Sequence, residues 1–388
     1  MKEKLLKFGM AAALLLSFTA VSFAASSYEI IDLGLDYAMD VNNSGQIAGG
    51  LGGHAVIYTN GIITDIGTLG GYSSQVNGLN ESGQVVGSST TAGGENHAYI
   101  YSGGVMTDLG TLGGDQSQAY GINDNGIVTG VSMTADGFYH AFMWDGTMHD
   151  MGTLGGVMSL TLGSWAVNNS GQIVGVSDGY AFLYDGVMHN LGTLPGGIGS
   201  NAMAINEGGQ VVGESGTAGG ETHAFSYVGG VMSDLGTLGG NTSSAWGVTS
   251  SGLIEGYSVT SSGEEHAFFY NGIMHDVGTL GGNYSRSYPM NEIGQLAGNS
   301  NTATGEYHAF VYSLSDGIID LGMLDGGNYS SAYGINDNGW IVGVSNDGIS
   351  PPHGVLWKPQ DSVVPEPGTM FLFGSGLAGL LVFRHKKN

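Results

Sequence analysis

The chain has 388 residues, of which 73 are glycine and none is cysteine, and its 33 acidic side chains face only 8 lysines and arginines, for a net charge of −25. Glycine usage is far above the usual level of about 7%. No Gly-X-Y period is present, which excludes collagen, and the 41% hydrophobic content excludes a disordered glycine-rich chain. Such an acidic protein repels nucleic acid and anionic lipid headgroups. We interpret the excess of acidic side chains as a feature that keeps the protein soluble, and attraction of cations is the alternative.

The N-terminus reads as a secretory signal peptide over residues 1–25. Lys2, Lys4 and Lys7 form a basic region, residues 10–18 are mostly apolar, and residues 22–25 supply small side chains for cleavage. The apolar run is too short for a membrane anchor. The absence of cysteine in an exported chain means that burial, and not disulfides, must stabilise it.

One heptapeptide, Asp-Leu-Gly-Thr-Leu-Gly-Gly at residues 108–114, recurs along the chain. Its other copies begin at Asp65, Asp150, Asn190, Asp234, Asp276 and Asp320, with a partial copy at residues 32–35. The spacing of 33 to 44 residues is typical of one four-stranded propeller blade, about 40–50 residues. The repeated aspartate is expected to accept backbone N–H bonds in the connection that follows.

Each repeat predicts four strands. The first ends in an asparagine turn, as at residues 119–126; the second reads Gly-Gln-Val-Val-Gly, as at residues 83–87; the third contains His-Ala-Phe, as at residues 266–270; the fourth is the Asp-Leu-Gly strand. Asn-Gly or Asp-Gly joins the third and fourth strands, a pair suited to a two-residue hairpin in which both residues have positive φ. These turns occur at Asn271-Gly272, Asp145-Gly146 and Asp185-Gly186.

The order of the strands predicts a closed ring. The chain begins with a fourth strand at residues 28–33 and ends with a third strand at residues 354–357. Pairing of these two strands would complete the last blade and remove both free edges. We therefore predict an all-β, eight-bladed β-propeller over residues 28–358. The first repeat is short at residues 49–53, which leaves a seven-bladed ring as the alternative.

The position three residues before the turn asparagine is the main candidate for ligand binding. It is aromatic in five repeats, at Tyr120, Trp165, Trp246, Tyr288 and Tyr333. Aromatic faces near an acidic rim would suit a sugar, whereas strand alternation favours packing between blades. Arg286 is the only arginine in the repeats and is the best single ligand candidate. Together with Tyr288, Trp165 and Trp246 it forms the predicted binding set.

The sequence predicts no catalytic residue, no metal site and no cofactor. Seven histidines recur at one position of the repeats, but one per blade is too far apart for a shared zinc ion. A buried hydrogen bond to a neighbouring backbone group is the preferred interpretation. The turns at residues 123–126 and 336–339 resemble calcium loops, yet each offers one aspartate, so we interpret them as turns, with calcium binding as the alternative.

The C-terminal segment has three parts. Residues 359–367 form a linker that contains Pro365, Glu366 and Pro367, residues 368–383 are largely apolar, and basic residues follow from Arg384. This tail resembles the PEP-CTERM sorting signal. The resemblance implies a Gram-negative exported protein, delivered by the Sec translocon, held transiently in the inner membrane by a transmembrane helix at residues 368–383, and cut by an exosortase. An ordinary C-terminal anchor is the alternative.

The body resembles the HAF-repeat family of extracellular proteins, named for the His-Ala-Phe at residues 97–99 (as His-Ala-Tyr), 140–142 and 266–268. The fourth repeat departs from the pattern with Tyr180, and the last with Gly354 and Val355. The resemblance implies no reaction. We expect a non-enzymatic protein of the cell surface or matrix that binds polysaccharide or a surface protein. A glycan-active enzyme on a propeller scaffold is the alternative.

Overall fold

The computed structural model describes residues 27–161 and 163–360, and the compact unit spans Tyr28–Gln360. The described residues form 32 β-strands. Within these ranges no helix is long and apolar enough to cross a membrane. The predicted signal peptide at residues 1–25 and the predicted membrane helix at residues 368–383 lie outside the described residues.

The strands follow one another in groups that we call units. Strand β1 (Tyr28–Leu35) comes first. Unit one contains β2 (Tyr37–Val41), β3 (Ile47–Leu51), β4 (His54–Thr59) and β5 (Ile62–Asp65). Unit two contains β6 (Gly70–Leu79), β7 (Val85–Thr91), β8 (Asn96–Ser102) and β9 (Val105–Gly110). Unit three contains β10 (Gly113–Ile122), β11 (Val128–Thr134), β12 (Tyr139–Trp144) and β13 (Met148–Asp150). Unit four contains β14 (Ser159–Leu160), β15 (Ile173–Ser177), β16 (Tyr180–Tyr184) and β17 (Met188–Gly192).

The second half of the chain repeats this order. Unit five contains β18 (Ser200–Ile205), β19 (Val211–Gly216), β20 (Thr222–Val228) and β21 (Val231–Gly236). Unit six contains β22 (Gly239–Val248), β23 (Ile254–Thr260), β24 (Glu265–Tyr270) and β25 (Met274–Asp276). Unit seven contains β26 (Gly281–Met290), β27 (Leu296–Thr302), β28 (Tyr307–Ser313) and β29 (Gly317–Gly322). Unit eight contains β30 (Ser330–Ile335), β31 (Ile341–Ser345), β32 (His353–Pro359) and, from the other end of the chain, β1.

Each unit is an antiparallel meander, and the first strand of the chain completes the last unit. Strand β1 pairs with β32, with Ile30 opposite Trp357 and Asp32 opposite Val355. Single parallel pairs also join the third strand of a unit to the first strand of the next, as at Asn96 and Gln116. The predicted pairing of the two chain ends is therefore confirmed.

Buried asparagines link the units at the turn between first and second strands. The Asn42 side-chain Nδ2 donates to the backbone carbonyl of Asn80, and Asn336 of unit eight donates in the same way to Asn42 of unit one. Thr249 holds this position in unit six and has no amide to donate. These bonds satisfy buried polar groups that would otherwise cost about 1–3 kcal/mol each. They link successive units, including units eight and one, and the series is interrupted at unit six.

The hydrophobic core is divided into eight clusters, one between each pair of neighbouring units in the described chain. The cluster between units eight and one contains Leu33 and Leu35 of β1, Val41 of unit one and Leu356 of β32. Burial of each large apolar side chain contributes about 1.5–3 kcal/mol. Stability is therefore distributed around the molecule and depends on the contact between its two ends.

The glycine that follows the Val-Val pair of the second strand allows close backbone approach. A Cβ at Gly87 would lie 1.9 Å from the carbonyl oxygen of Gln75 on the neighbouring strand, and one at Gly130 would lie 2.0 Å from that of Gln118. No side chain fits at such a distance. The glycine of the repeated Gly-Gln-Val-Val-Gly pattern is thus a requirement of strand packing.

The predicted all-β fold is confirmed, and the arrangement is propeller-like. The prediction for the hairpin turns is only partly correct. At Asn60 and Gly61 both residues have positive φ, 50° and 85°. In the three predicted turns, only the glycine has positive φ. These turns are Asn271-Gly272, Asp145-Gly146 and Asp185-Gly186.

Candidate functional site

The seven repeated histidines pair with the repeated aspartates. Each Nδ1 lies 2.8 to 3.1 Å from a carboxylate oxygen of the fourth strand in the same unit, as in His97 with Asp108; the other pairs are His54–Asp65, His140–Asp150, His223–Asp234, His266–Asp276, His308–Asp320 and His353–Asp32. The prediction of a backbone partner is therefore wrong. The register pairs each aspartate with the residue two positions after the histidine, as Asp108 with Tyr99, so that the carboxylate and the imidazole share one face of the sheet. The hydrogen bond to Asp32 raises the pKa of His353.

The repeated aspartate also caps the connection, as predicted. Its Oδ1 accepts the N–H of the glycine two residues later, as Asp108 does from Gly110 at 2.7 Å. Unit four has Tyr180 and Asn190 in place of the histidine and the aspartate. Asn190 still accepts from Gly192 at 2.8 Å. The cap is thus kept in unit four, and only the pair with histidine is lost.

The asparagine turns use their oxygens within the fold. In unit three, Asn123 Oδ1 accepts from the backbone of Asn125 and Ile127, and Asp124 accepts from the N–H of Glu81 in unit two. No group of three or more metal-binding side chains was found among the described residues. These contacts favour the interpretation as turns over that as calcium loops.

One cavity, of about 520 Å³, is lined by the same position of every unit. The residues at that position are Met39, Asn77, Tyr120, Trp165, Met203, Trp246, Tyr288 and Tyr333. The sequence favoured packing between units for this set. Met39 and Trp165 do contact core clusters, but the set as a whole forms the wall of this aromatic cavity. Its volume lies within the range of about 300–1,000 Å³ found for ligand sites.

Arg286 lies beside this cavity on β26, on the same side of the strand as Tyr288. Its Nε and Nη2 atoms both lie 2.7 Å from Oε1 of Glu265 on β24. The guanidinium carbon lies 4.3 Å from the ring centroid of Tyr257 and 4.9 Å from that of Trp246. The positive charge is therefore paired with a carboxylate and held over two aromatic faces.

Aromatic rings form a continuous group in units six to eight. Trp246 meets Tyr257 edge-on at 5.4 Å and Tyr288 at 5.9 Å, and Tyr288 meets Tyr333 at 6.4 Å. We call these four residues the aromatic group. Units one, two and five place Met39, Asn77 and Met203 at the same position. Tyr120 of unit three and Trp165 of unit four also bring rings to the cavity wall. The wall is asymmetric in another respect: the rings that contact one another and the Arg286–Glu265 pair lie on the side of units six to eight.

The hydroxyl groups on this side remain protonated at neutral pH. Burial raises the pKa of Tyr284 to about 12, and burial also raises the pKa of Tyr288. The indole Nε1 of Trp246 donates to Ser244 at 3.0 Å. A cavity wall of this kind offers flat apolar faces together with neutral hydrogen-bonding groups, which is the combination that ligand pockets use.

A second cavity, of about 260 Å³, lies at the asparagine turns and is lined by polar residues. Its carboxylates are engaged in links between units: Glu81 accepts the N–H of Asn43, and Glu292 accepts that of Ser250. Ser164 and Trp165 line both this polar cavity and the aromatic cavity. They therefore stand in the wall that the two cavities share.

Unit four supplies that shared wall through an insertion. Eight residues lie between Ser159 and Asn168, whereas five lie between Ser117 and Asn123 in unit three. The Trp165 backbone carbonyl accepts from Ile205 of unit five. The Trp165 ring packs on the core clusters between units five and six and between units six and seven. Trp165 thus reaches from its own unit to units six and seven.

Glu255 on β23 is a buried carboxyl that the sequence analysis missed. It is 0% exposed, one oxygen accepts a hydrogen bond from Ser287, and the other, Oε1, has no partner. Burial raises its pKa to about 8. Aligning the repeats would have shown it, because Val86, Val212 and Val342 hold this position elsewhere. Glu265 and Tyr257 were missed for another reason: only the fold brings them to Arg286.

Residues 363–387 match the family model of the PEP-CTERM protein-sorting motif. The match confirms the sorting signal predicted at Pro365, Glu366 and Pro367. It indicates an exported protein of a Gram-negative bacterium that an exosortase processes from a membrane-anchored intermediate. No relative among proteins of curated function matches this sequence.

Several solved structures resemble the described fold. A puromycin-hydrolysing peptidase of Mycobacterium tuberculosis has 12% identity and a TM-score of 0.42, over 77% of this chain and 54% of that chain. TolB from Acinetobacter baumannii has 10% identity and a TM-score of 0.39, over 86% and 80%. The fungal lectin of Aleuria aurantia, a six-bladed propeller that recognises fucose, has 14% identity and a TM-score of 0.31, over 61% and 89%. This chain spans about half the length of the peptidase. None of these proteins' activities extends to this chain at such identities.

Proposed function

We propose that this protein is an exported, non-enzymatic HAF-repeat propeller with eight blades that binds polysaccharide at the cell surface or in the extracellular matrix. The observation that carries the binding role is the asymmetry of the aromatic cavity. Residues that maintain the fold recur in most units, whereas Trp246, Tyr257, Tyr288 and Arg286 occur together only in units six and seven. A group of contacting aromatic rings beside Arg286 favours a ligand with flat apolar faces and hydroxyl groups, as in a sugar.

Several contacts support eight blades over seven. Unit one, whose second and third strands are joined by a short turn, still contains four strands of its own. It shares one core cluster with unit two and another with unit eight. Each unit contributes one equivalent residue to the aromatic cavity. Eight units arranged around one cavity with their ends paired correspond to a closed eight-bladed ring.

The sorting motif supports the proposed location of the protein. In this proposal the Sec translocon and an exosortase are partners during export, and residues 368–383 anchor the intermediate in the inner membrane. The mature protein then reaches the surface and associates with exopolysaccharide or biofilm. The scarcity of basic residues, with Arg286 and Lys358 alone between residues 8 and 383, argues against nucleic acid as a partner. A surface protein is the alternative ligand.

A glycan-active hydrolase or lyase is the second candidate, and the Glu255–Ser287 pair is the observation that favours it. A raised pKa is common among catalytic acids. However, both side chains are 0% exposed, so no substrate contacts them in this conformation. Glycosidases also use two carboxyl groups that flank the bond to be cleaved. Beside the aromatic group, Glu265 is paired with Arg286, and Glu214 lies close enough to Tyr257 to add to the effect of burial, which raises the pKa of that hydroxyl.

The test is a glycan-array screen of residues 27–362, with and without calcium, followed by assays for sugar release. Circular dichroism of the same fragment should first show strand and almost no helix. Binding without release of sugar is the expected result. Release of sugar would establish the enzyme instead, and absence of binding to every glycan would leave a protein ligand as the partner.

A further inference from the structure

We infer that the aromatic cavity accepts the end of an uncharged saccharide chain and discriminates against acidic saccharides. This inference rests on the proposed function, since it names the ligand class of that same site. Three observations carry it: the charge balance beside the cavity, the occupation of the aromatic faces by an internal cation, and the closed wall formed by unit four.

The first observation concerns charge. Arg286 and Lys358 are the only basic residues in the described repeats, and Arg286 alone lies beside the aromatic group. Two of its nitrogens lie 2.7 Å from one oxygen of Glu265, so its charge is already balanced. A uronate or sulfate would find no free cation there, and it would have to approach a protein with a net charge of −25. An uncharged sugar avoids this repulsion.

The second observation excludes a cationic ligand. A cage of Trp and Tyr faces beside a carboxylate can bind an ammonium group. Here the guanidinium of Arg286 already lies over Trp246 and Tyr257, at 4.9 and 4.3 Å. A second cation would have to displace it. The remaining exposed faces of Trp246, Tyr288 and Tyr333 suit the apolar face of an uncharged pyranose ring.

The third observation concerns the path of the chain. Ser164 and Trp165 line both the aromatic and the polar cavity. The tight fit of Trp165 is visible at Gly247 of unit six, where a Cβ would lie 2.6 Å from Cζ3 of the Trp165 ring. A Cβ at Gly163 would lie 3.0 Å from the Met203 carbonyl oxygen. In this inference Trp165 blocks passage from one cavity to the other, so the site receives a chain end.

The test uses the exported chain from Ser27 to Gln360, which contains the whole compact unit. Quenching of tryptophan fluorescence is titrated with neutral gluco-, galacto- and manno-oligosaccharides, and with oligogalacturonates and oligomannuronates of the same lengths. We expect at least one neutral series to bind about tenfold more tightly than any uronate series. Cyclic oligosaccharides, which have no ends, should not bind.

A charge variant makes the test specific to the site. Glu265→Gln removes the carboxylate that balances Arg286, so affinity for uronates should rise about tenfold while affinity for the neutral series falls. Glu264→Gln makes the same change of charge one residue away, in a side chain that bonds Ser262 instead, and should alter neither affinity.

The outcomes separate the two proposals. Tighter binding of uronates by the unchanged protein, or equal binding of cyclic and linear sugars, would overturn this inference and leave carbohydrate binding intact. No binding of any neutral or acidic series would overturn the proposed function itself. An equal response of the two glutamine variants would show that the effect is one of overall charge, and would overturn the assignment to Arg286.

Discussion

Two interfaces between units differ from the other six in the same way, and their difference shows what a buried polar pair requires. Between units three and four, Thr129 faces Thr161, and between units six and seven, Glu255 faces Ser287. Elsewhere these positions hold apolar residues such as Val86 with Ala119 and Val212 with Ala245. In both interfaces the hydroxyl of the first strand donates to a glycine carbonyl of the preceding unit, Gly130 or Gly256.

The two interfaces differ in whether every polar atom has a partner. Thr129 donates to the carbonyl of Phe142 and contacts Thr161 at 3.2 Å, so the hydroxyl pair is satisfied. The Oε1 atom of Glu255 has no partner. A neutral hydroxyl that bonds the backbone is compatible with a packed interface, whereas a carboxyl with one free oxygen must stay protonated or destabilise it.

Replacement of Glu255 should give the largest effect. Burial raises its pKa from 4.5 to about 8, so between these values the folded protein binds more protons than the unfolded chain. The free energy of unfolding should therefore fall as the pH rises from about 4.5 to about 8, by several kcal/mol at about 1.4 kcal/mol per pKa unit. Glu255→Val should remove the part of this slope that Glu255 contributes and stabilise the protein at neutral pH. A smaller slope should remain from Asp40, since burial raises the pKa of that carboxyl to about 6.

Urea unfolding across that pH range measures the effect. Thr129→Val at the other interface is the control, because it removes no ionisable group and should leave the pH dependence unchanged. A Glu255→Val variant that unfolds more easily than the parent protein at neutral pH would contradict the account.

Trp165 of unit four also packs at the interface between units six and seven. Its removal should give the second-largest change in the free energy of unfolding. Trp165→Ala loses packing against two core clusters, at about 2 kcal/mol or more for a partly buried aromatic side chain. Trp246→Ala is the matched variant: Trp246 lines the cavity and belongs to no core cluster. Thermal unfolding should separate the two, with the greater loss for Trp165→Ala. The reverse order would contradict the spanning role of Trp165.

The effects of substitutions at Thr129 and Thr161 on stability should be coupled. Thr129→Val and Thr161→Val should each destabilise by about 1 kcal/mol, because each breaks a buried hydrogen bond. The double variant restores an apolar pair of the kind found between other units, so its loss should be smaller than the sum of the two. Denaturant titration of the four proteins gives the coupling energy, and strict additivity would speak against direct contact.

The histidine–aspartate pairs should give the smallest effect. Unit four folds with Tyr180 and Asn190 in their place, and its asparagine keeps the cap on Gly192. His266→Tyr together with Asp276→Asn transfers this arrangement to unit six, and the loss should remain below about 1 kcal/mol because the aspartate is half exposed. A loss of several kcal/mol, measured at the pH of the parent protein's greatest stability, would show that the pair has a role the fold does not reveal.

The repeats made most of the architecture predictable. Alternation and the Asp-Leu-Gly, His-Ala-Phe and asparagine-turn patterns identified four strands per repeat, and the order of the strands predicted that β1 would pair with β32. The histidine partner was not predictable in the same way. His97 and Asp108 are separated by a hairpin whose register decides which side chains meet, and several registers satisfy the same alternation.

The candidate site was found only in part. Trp165, Trp246, Tyr288 and Arg286 were identified because they deviate from the repeat or hold its aromatic position. Glu265 and Tyr257, which fix Arg286, lie 21 and 29 residues away in the chain. No local pattern connects them to it. Glu255 escaped notice because a carboxylate in a strand normally faces solvent.

The sequence by itself determined the strand pattern, the turn residues, the closing pair of strands and the sorting motif, because these depend on local periodicity and on short stretches of chain. Only the tertiary structure decided that the eight equivalent side chains face a common cavity, that Arg286 is paired with Glu265, and that Trp165 packs against units six and seven. These outcomes depend on the distances between units, and packing around a ring sets those distances with contributions from every unit at once.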